Sequence, residues 1–578
     1  MRPTSNPDGA KREWAVILCL TLLGGVIRLW GLGTLGLTHF DEGVYALAGL
    51  WPFTPGGLNR LDPSVVPYAP PGFPFLVGLA YSLLGVSDTA AILPSILLGT
   101  LTIPAGAWLA RRTLGPGAGA ASAAFLALSL AHVSFSRKAL TDAPLGLVWL
   151  VVMLAGARML ERPGVVRAVI LGALVGLAQN VKYNGWVTGT TVVLAGVSGV
   201  AGGWLRRDEP ATSQPPWYRS LAYWSLSVGV AASLYLPWYS FVESHGGYSG
   251  LLAHHRSYVG GVDHWLPNLK QQLQQVASLS GGPVWSLMTW GVAVLAVLLS
   301  RPGSSAGIGG SVTTVLQRMA PLFCATLAFV LIPTLPWWLG FLACSTCLSV
   351  GSPGARVLAC WWLILSVLTP FYHPYARLWL PLHLVGSLLC AGFLLSILRM
   401  PVLELNSHVG TTGSNKNWDR RAIGFLIILP FALLMQWRNP VRPWPVHSHF
   451  QGTSSIRSLA SEVTELEQRK GLKNRGWLIL ARRPVAFYLM LNGQISFSLA
   501  PDLESIIENT TRWGIVDEAV TPIEPGTEEA ARIQTTLDST LDPLTWLDVD
   551  PGTARVGRPT RLNRLLILVP KASLRDER

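Results

Sequence analysis

Four short clusters of ionisable and aromatic residues stand beside apolar runs in this chain, and charges placed there are costly enough to mark a site by default. The first is His39-Phe-Asp41-Glu42-Gly-Val-Tyr45, and the second is Arg137-Lys-Ala-Leu-Thr-Asp142-Ala-Pro144. The third is Lys182-Tyr183-Asn184, and the fourth is Tyr372-His373-Pro-Tyr375-Ala-Arg377. An ionised carboxylate can take the proton of an attacking hydroxyl. Lysine and arginine can hold the charge that grows on a phosphate leaving group. Each cluster also has a plainer reading. Asp41 can cap a helix with Glu42 in its first turn, and Asp142 can do the same ahead of Pro144. Lys182 and Arg377 can snorkel to lipid headgroups. The chemical reading requires the rest of the chain to bring all four clusters to one side.

The elements that would do so are membrane spans. Half of the 578 residues are apolar and 13% are charged, against about a quarter charged in a soluble domain. Apolar runs at 14–32, 90–110, 117–136, 143–160, 168–181, 185–205, 220–241, 283–300, 319–335, 337–350, 357–371, 378–398 and 422–437 make about 13 candidate transmembrane helices. The run over 72–85 begins in a Pro/Gly-rich stretch and is short for a span, so it reads as an interfacial helix in a first outer loop of about 33–89. The positive-inside rule supports that choice: Arg111, Arg112, Arg158, Arg162, Arg167, Arg206 and Arg207 then share the cytoplasmic face. The opposite loops carry few basic residues besides those of the clusters. A net charge of +13 is thereby explained by anchoring and orientation rather than by nucleic acid.

This topology puts all four clusters outside the cytoplasm. It gives an all-α polytopic membrane domain over 1–437, followed by a more charged region, 438–578, that reads as a small soluble α/β domain outside the cytoplasm. Trp477–Ala481, Ile495–Leu499 and Leu565–Val569 are strand-like there, and Pro501–Asn509 and Thr527–Leu537 are helix-like. The six cysteines all lie in apolar segments and read as small buried hydrophobes. His254 and His255, in the long outer loop 242–282, are candidates with Glu42 for a divalent metal ion, although adjacent histidines point differently on a helix.

Taken in order, Asp41-Glu42-x-x-Tyr45-Ala, Pro70-Pro71 before a short helix ending at Gly85, Arg137-x-x-x-Thr-Asp142, Lys182-Tyr183 and Tyr375-x-Arg377-x-x-x-Pro381 resemble the GT-C glycosyltransferases. The resemblance covers about residues 14–437. It points in particular to the branch of dolichyl-phosphate-mannose protein mannosyltransferases and the aminoarabinose transferases of lipid A. The latter usually carry a lysine directly before the Pro-Pro pair, where this chain has Ala69. The resemblance implies a catalytic role for Asp41, Glu42 and Asp142, with Asp41 taking the proton of the acceptor hydroxyl and Glu42 or Asp142 orienting it. It implies that Lys182 and Arg377 face a donor phosphate; Arg137 and Tyr375 are further candidates there, and Tyr45, Tyr183 and His373 are candidates for contact with acceptor or sugar. The implied reaction is an inverting transfer from a polyprenyl-phosphate sugar to a hydroxyl of protein, lipid or glycan, at the outer face of the plasma (inner) membrane. No cofactor is required beyond the candidate metal. The rival reading is a lipid or sugar transporter or flippase. Transporters place ionisable groups at mid-membrane, often within inverted repeats; here the acids stand beside span ends and no repeat is visible.

Overall fold

The computed structural model describes residues 7–53, 69–205, 217–300 except 257, 312–398, and short stretches beyond, chiefly 432–434, 446–449, 457, 484, 487–488 and five strands. The helices run α1 (Pro7–Leu29), α2 (Leu32–Leu35), α3 (Phe40–Ala48), α4 (Gly72–Leu84), α5 (Asp88–Leu114), α6 (Ala118–Leu128), α7 (Leu130–Ser136), α8 (Asp142–Glu161) and α9 (Val165–Val181). There follow α10 (Trp186–Leu205), α11 (Trp217–Glu243), α12 (Ser249–Arg256), α13 (Val262–Ser278), α14 (Gly282–Ser300), α15 (Val312–Leu331), α16 (Leu335–Val350), α17 (Pro353–Leu368) and α18 (Leu380–Leu398).

Every span expected up to residue 398 coincides with a helix or a bent pair of helices. The last, 422–437, lies outside the described residues except for 432–434. Seven helices among the described residues are long and apolar enough to cross a membrane, and up to nine segments qualify if each bent pair counts as one span. The two bent pairs are α6–α7, at 60°, and α15–α16, at 120°. The chain is a multi-pass integral membrane protein. α4 has 13 residues, about 20 Å at the helical rise, short of a ~30 Å hydrocarbon core. It buries Phe73, Val77 and Tyr81 while Phe75, Leu79, Leu83 and Leu84 face outward.

α6 is the centre of the bundle. Its alanines are fully buried, and such small residues let backbones approach closely where lipid removes the usual hydrophobic drive between helices. A Cβ at Gly106 of α5 would run into the Leu126 side chain of α6, so the glycine lets the two helices pack as they do. The ends of α6 are held by charge. Buried Glu13 of α1 accepts from the amides of Gly117 (2.9 Å) and Gly119 (3.1 Å) at its start, and Arg111 pairs with the same carboxylate at 3.2 Å. At the α6–α7 break, Arg28 of α1 donates to the carbonyls of Leu126 (3.0 Å) and Ala127 (3.3 Å). Arg137, just past α7, donates in return to the carbonyls of Ile27, Arg28 and Trp30 at the end of α1. Arg28 thus satisfies the carbonyl end of α6 and Arg137 that of α1, each at the negative end of a helix dipole, which fixes the loop that leads to Asp142.

Beyond the bundle, β1 (Trp477–Leu480), β2 (Phe497–Leu499), β3 (Trp513–Asp517), β4 (Leu541–Asp548) and β5 (Arg564–Pro570) form a sheet of order β2-β1-β3-β5-β4. β1 pairs in parallel with β2 and β3, while β5 is antiparallel to β3 and β4. Parallel neighbours need crossover connections, in keeping with an α/β unit; the helices expected at 501–509 and 527–537 lie outside the described residues. β3 and β4 were not evident in the sequence. β4 carries Pro543 at a register shift, a residue tolerated because this is an edge strand.

Candidate active site

α3 begins where His39 turns the chain. The His39 ring accepts from the Asp41 amide at 3.1 Å, and Glu42 closes a capping box. Glu42 Oε2 accepts from the amides of His39 (2.8 Å) and Thr38 (3.0 Å) and from the Thr38 hydroxyl (3.1 Å). Its Oε1 accepts from the Ala139 amide at 3.0 Å, and Lys138 lies 3.8 Å away. Glu42 is fully buried, and its bonds tie the segment before α3 to the loop between α7 and α8.

Asp41, one residue earlier, points elsewhere. Its carboxylate pairs with the Arg377 guanidinium, and the Asp41 side chain keeps 27% of its surface exposed. Partial burial raises its pKa, but Arg377, with His39 and Lys182, outweighs that and holds it well below the usual carboxylate range. Asp142 opens α8, and its Oδ1 accepts from Lys182 Nζ at 2.6 Å, at the end of α9. The two pairs are linked through Tyr45 of α3, whose hydroxyl lies 3.5 Å from Thr141 Oγ1, next to Asp142. Asp142 Oδ2 and Arg377 Nε are both buried and have no hydrogen-bond partner among the described residues.

Aromatic rings flank both pairs. Beside Lys182, the Tyr183 hydroxyl accepts from Trp238 Nε1 at 3.3 Å, and the Tyr183 ring meets Tyr248 edge-on at 5.8 Å. Beside Arg377, its guanidinium lies 5.5 Å from the centre of the Tyr375 ring, which also contacts His373 and Tyr258. Burial and Tyr258 push the Tyr375 hydroxyl up to about 12, so it stays a neutral donor. The sequence had offered no signal for Tyr248 and Tyr258. They flank α12, and the main chain after it is stitched to the fourth cluster: the His373 amide donates to Tyr258 O at 2.8 Å, and the Gly260 amide to Phe371 O at 2.7 Å.

The structure therefore brings Asp41 against Arg377 and Asp142 against Lys182, with Tyr45, Tyr183, Tyr375 and His373 around them. Arg137, expected at the phosphate, has carbonyls of α1 as bonding partners. Glu42 and His255, named as metal candidates, engage separate partners, the latter the Tyr372 hydroxyl at 2.6 Å. The His254 side chain lies outside the described residues. Among the described residues no three histidine, cysteine or acidic side chains gather around a metal-sized site.

The multi-pass helical bundle agrees with the helical membrane fold that the resemblance to the GT-C glycosyltransferases implies. The particular likeness is carried by residues 68–211, about a quarter of the chain, which match the family of dolichyl-phosphate-mannose-protein mannosyltransferases. That stretch takes in Asp142 and Lys182 and leaves Asp41 and Arg377 outside. Among curated proteins no sequence matches. Among solved structures, ArnT from Cupriavidus metallidurans in the apo state is 16% identical, covers 97% of this chain and 98% of its own, and has a TM-score of 0.46. The same protein bound to undecaprenyl phosphate gives 15% identity, 96% and 98% coverage and 0.45. The archaeal oligosaccharyltransferase AglB from Archaeoglobus fulgidus, in complex with an inhibitory peptide and a dolichol-phosphate, gives 12% identity, 97% and 76% coverage and 0.46.

Proposed function

We propose that this protein is a glycosyltransferase that moves a sugar from a polyprenyl-phosphate donor to a hydroxyl acceptor at the extracytoplasmic face, with inversion. The observation that carries the reading is the double ion pair, Asp41 with Arg377 and Asp142 with Lys182. Each pair retains a buried polar atom without a partner among the described residues. Two acids and two cations on separate helix ends supply the two things the reaction needs: a proton acceptor and a counter-charge for phosphate.

In the displacement, the acceptor oxygen bonds to the anomeric carbon as the bond from that carbon to the phosphate oxygen breaks. The electron pair of that bond leaves with the polyprenyl phosphate, and the hydroxyl proton passes to Asp41. Arg377 and Lys182 hold the departing phosphate. Asp41 paired with Arg377 is a weak base, because its charged form is already stabilised. A donor phosphate competes for Arg377 and Lys182, loosens both pairs, and raises the basicity of Asp41 when it is needed. Glu42, committed to four donors, holds α3 in place, and Asp142 orients the acceptor. Tyr45, Tyr183 and His373 offer polar edges and ring faces to a sugar.

The test is transfer from a labelled polyprenyl-phosphate sugar by the purified protein in lipid vesicles. Asp41→Asn should reduce transfer at least 10²-fold with expression unchanged, the scale of general-base assistance. Undiminished transfer would remove Asp41 as the base. Donor that crosses the bilayer without transfer would favour a transporter.

A further inference from the structure

The segment that carries Asp41 into position is held by residues from the far end of the chain. Asp88, at the start of α5, is 6% exposed. Its Oδ2 accepts from the Tyr488 hydroxyl at 2.8 Å and pairs with Arg457. The Tyr488 hydroxyl in turn accepts from the Leu37 amide at 2.7 Å, and Arg457 Nη1 donates to the Gly33 carbonyl at 3.3 Å. The neighbouring Phe487 is fully buried and stacks on Tyr81 of α4, in one apolar cluster with Leu37, Val44 and Phe73.

Three successive amides therefore have fixed partners ahead of the acid: Leu37 on Tyr488, then Thr38 and His39 on Glu42. Asp41 follows two residues later. Without the Tyr488 hydroxyl, the Leu37 amide is a buried donor with no partner, and the entry to α3 loses one of its three ties. We infer that Asp88, Tyr488 and Arg457 are positioning residues: the C-terminal region completes the first outer loop and sets the placement of Asp41. This rests on the transferase reading above.

The experiment uses the full-length protein in lipid vesicles and compares wild type, Tyr488→Phe, Asp88→Asn and Asp41→Asn. Tyr488→Phe removes one hydroxyl and keeps the ring contacts. It should lower kcat on the order of 10-fold, since small misplacements of a reacting group are costly, and leave the donor KM unchanged. Amide hydrogen exchange at Leu37 should become faster while that of α6 is unchanged. Asp88→Asn keeps one acceptor oxygen toward Tyr488 and Arg457 but gives up the charge and the acceptance from the Thr89 amide. It should give a smaller kcat loss, because the Tyr488 hydroxyl still meets the Leu37 amide, which makes a folding failure of one variant distinguishable from loss of positioning. The inference is overturned if Tyr488→Phe turns over at the wild-type rate, or if Leu37 exchange is unaltered. Absence of transfer by the wild type, or full transfer by Asp41→Asn, sinks the transferase reading instead; the exchange result still decides whether the C-terminal region holds the loop.

Discussion

Glu42 accepts from three main-chain amides, whereas Asp41 meets a guanidinium that a phosphate could also bind. This difference separates two adjacent acids that look equivalent in the sequence. Removing Arg377 should therefore do two things. Arg377→Gln should lower transfer by about 10²–10³-fold, the usual cost of losing a group that stabilises developing negative charge, and Arg377→Lys should recover part of it. Arg377→Gln should also move the acid limb of kcat/KM upward. In the wild type Asp41 is held below the ordinary range near 4. It stays ionised there, and both its charge and its contribution to stability are lost only as pH falls through that lowered value. Without Arg377 its pKa rises and protonation begins at higher pH. A pH profile identical in both proteins would contradict the pairing. At this scale the sequence told which residue types could act. It could not show that Glu42 is taken up by main-chain donors, because that depends on an amide, Ala139, that lies in another loop.

Helix ends deliver every one of these side chains: α3 supplies Asp41, α8 Asp142, α9 Lys182, and the turn before α18 Arg377. Their positions depend on devices that periodicity does not reveal. Arg137 sits in the second cluster, but its guanidinium caps α1 while Arg28 caps α6, an arrangement visible only once the helices are packed. The break between α6 and α7 was likewise hidden inside one apolar run. Because Glu42 is the capping and loop-joining acid, Glu42→Gln should destabilise the protein by about 1–3 kcal/mol, the range for stranding buried donors. Asp41→Asn should cost less stability and more activity. Thermal unfolding and transfer measured on the same preparations would check this, and the reverse ranking would overturn the division of roles.

For the molecule as a whole, hydropathy was enough to indicate a multi-pass bundle, because a span needs a long apolar run and little else. The shortness of α4 was legible in the same way, from the length of its apolar run. The sheet was half legible: β3 and β4 lack the apolar runs that made β1 and β5 visible. The expected sidedness rests on arginine placement alone, so it should be tested directly. In a cysteine-free background, His264→Cys should react with a membrane-impermeant thiol reagent added outside, and Arg162→Cys only after permeabilisation; the opposite pattern would invert the topology. A lipid phosphate bound at the proposed site should compete for the cations of both ion pairs. An experimental structure with polyprenyl phosphate bound should place the phosphate within hydrogen-bond distance of Arg377 and Lys182, with Asp41 released from the guanidinium. A phosphate bound elsewhere, or bound with both pairs intact, would contradict it.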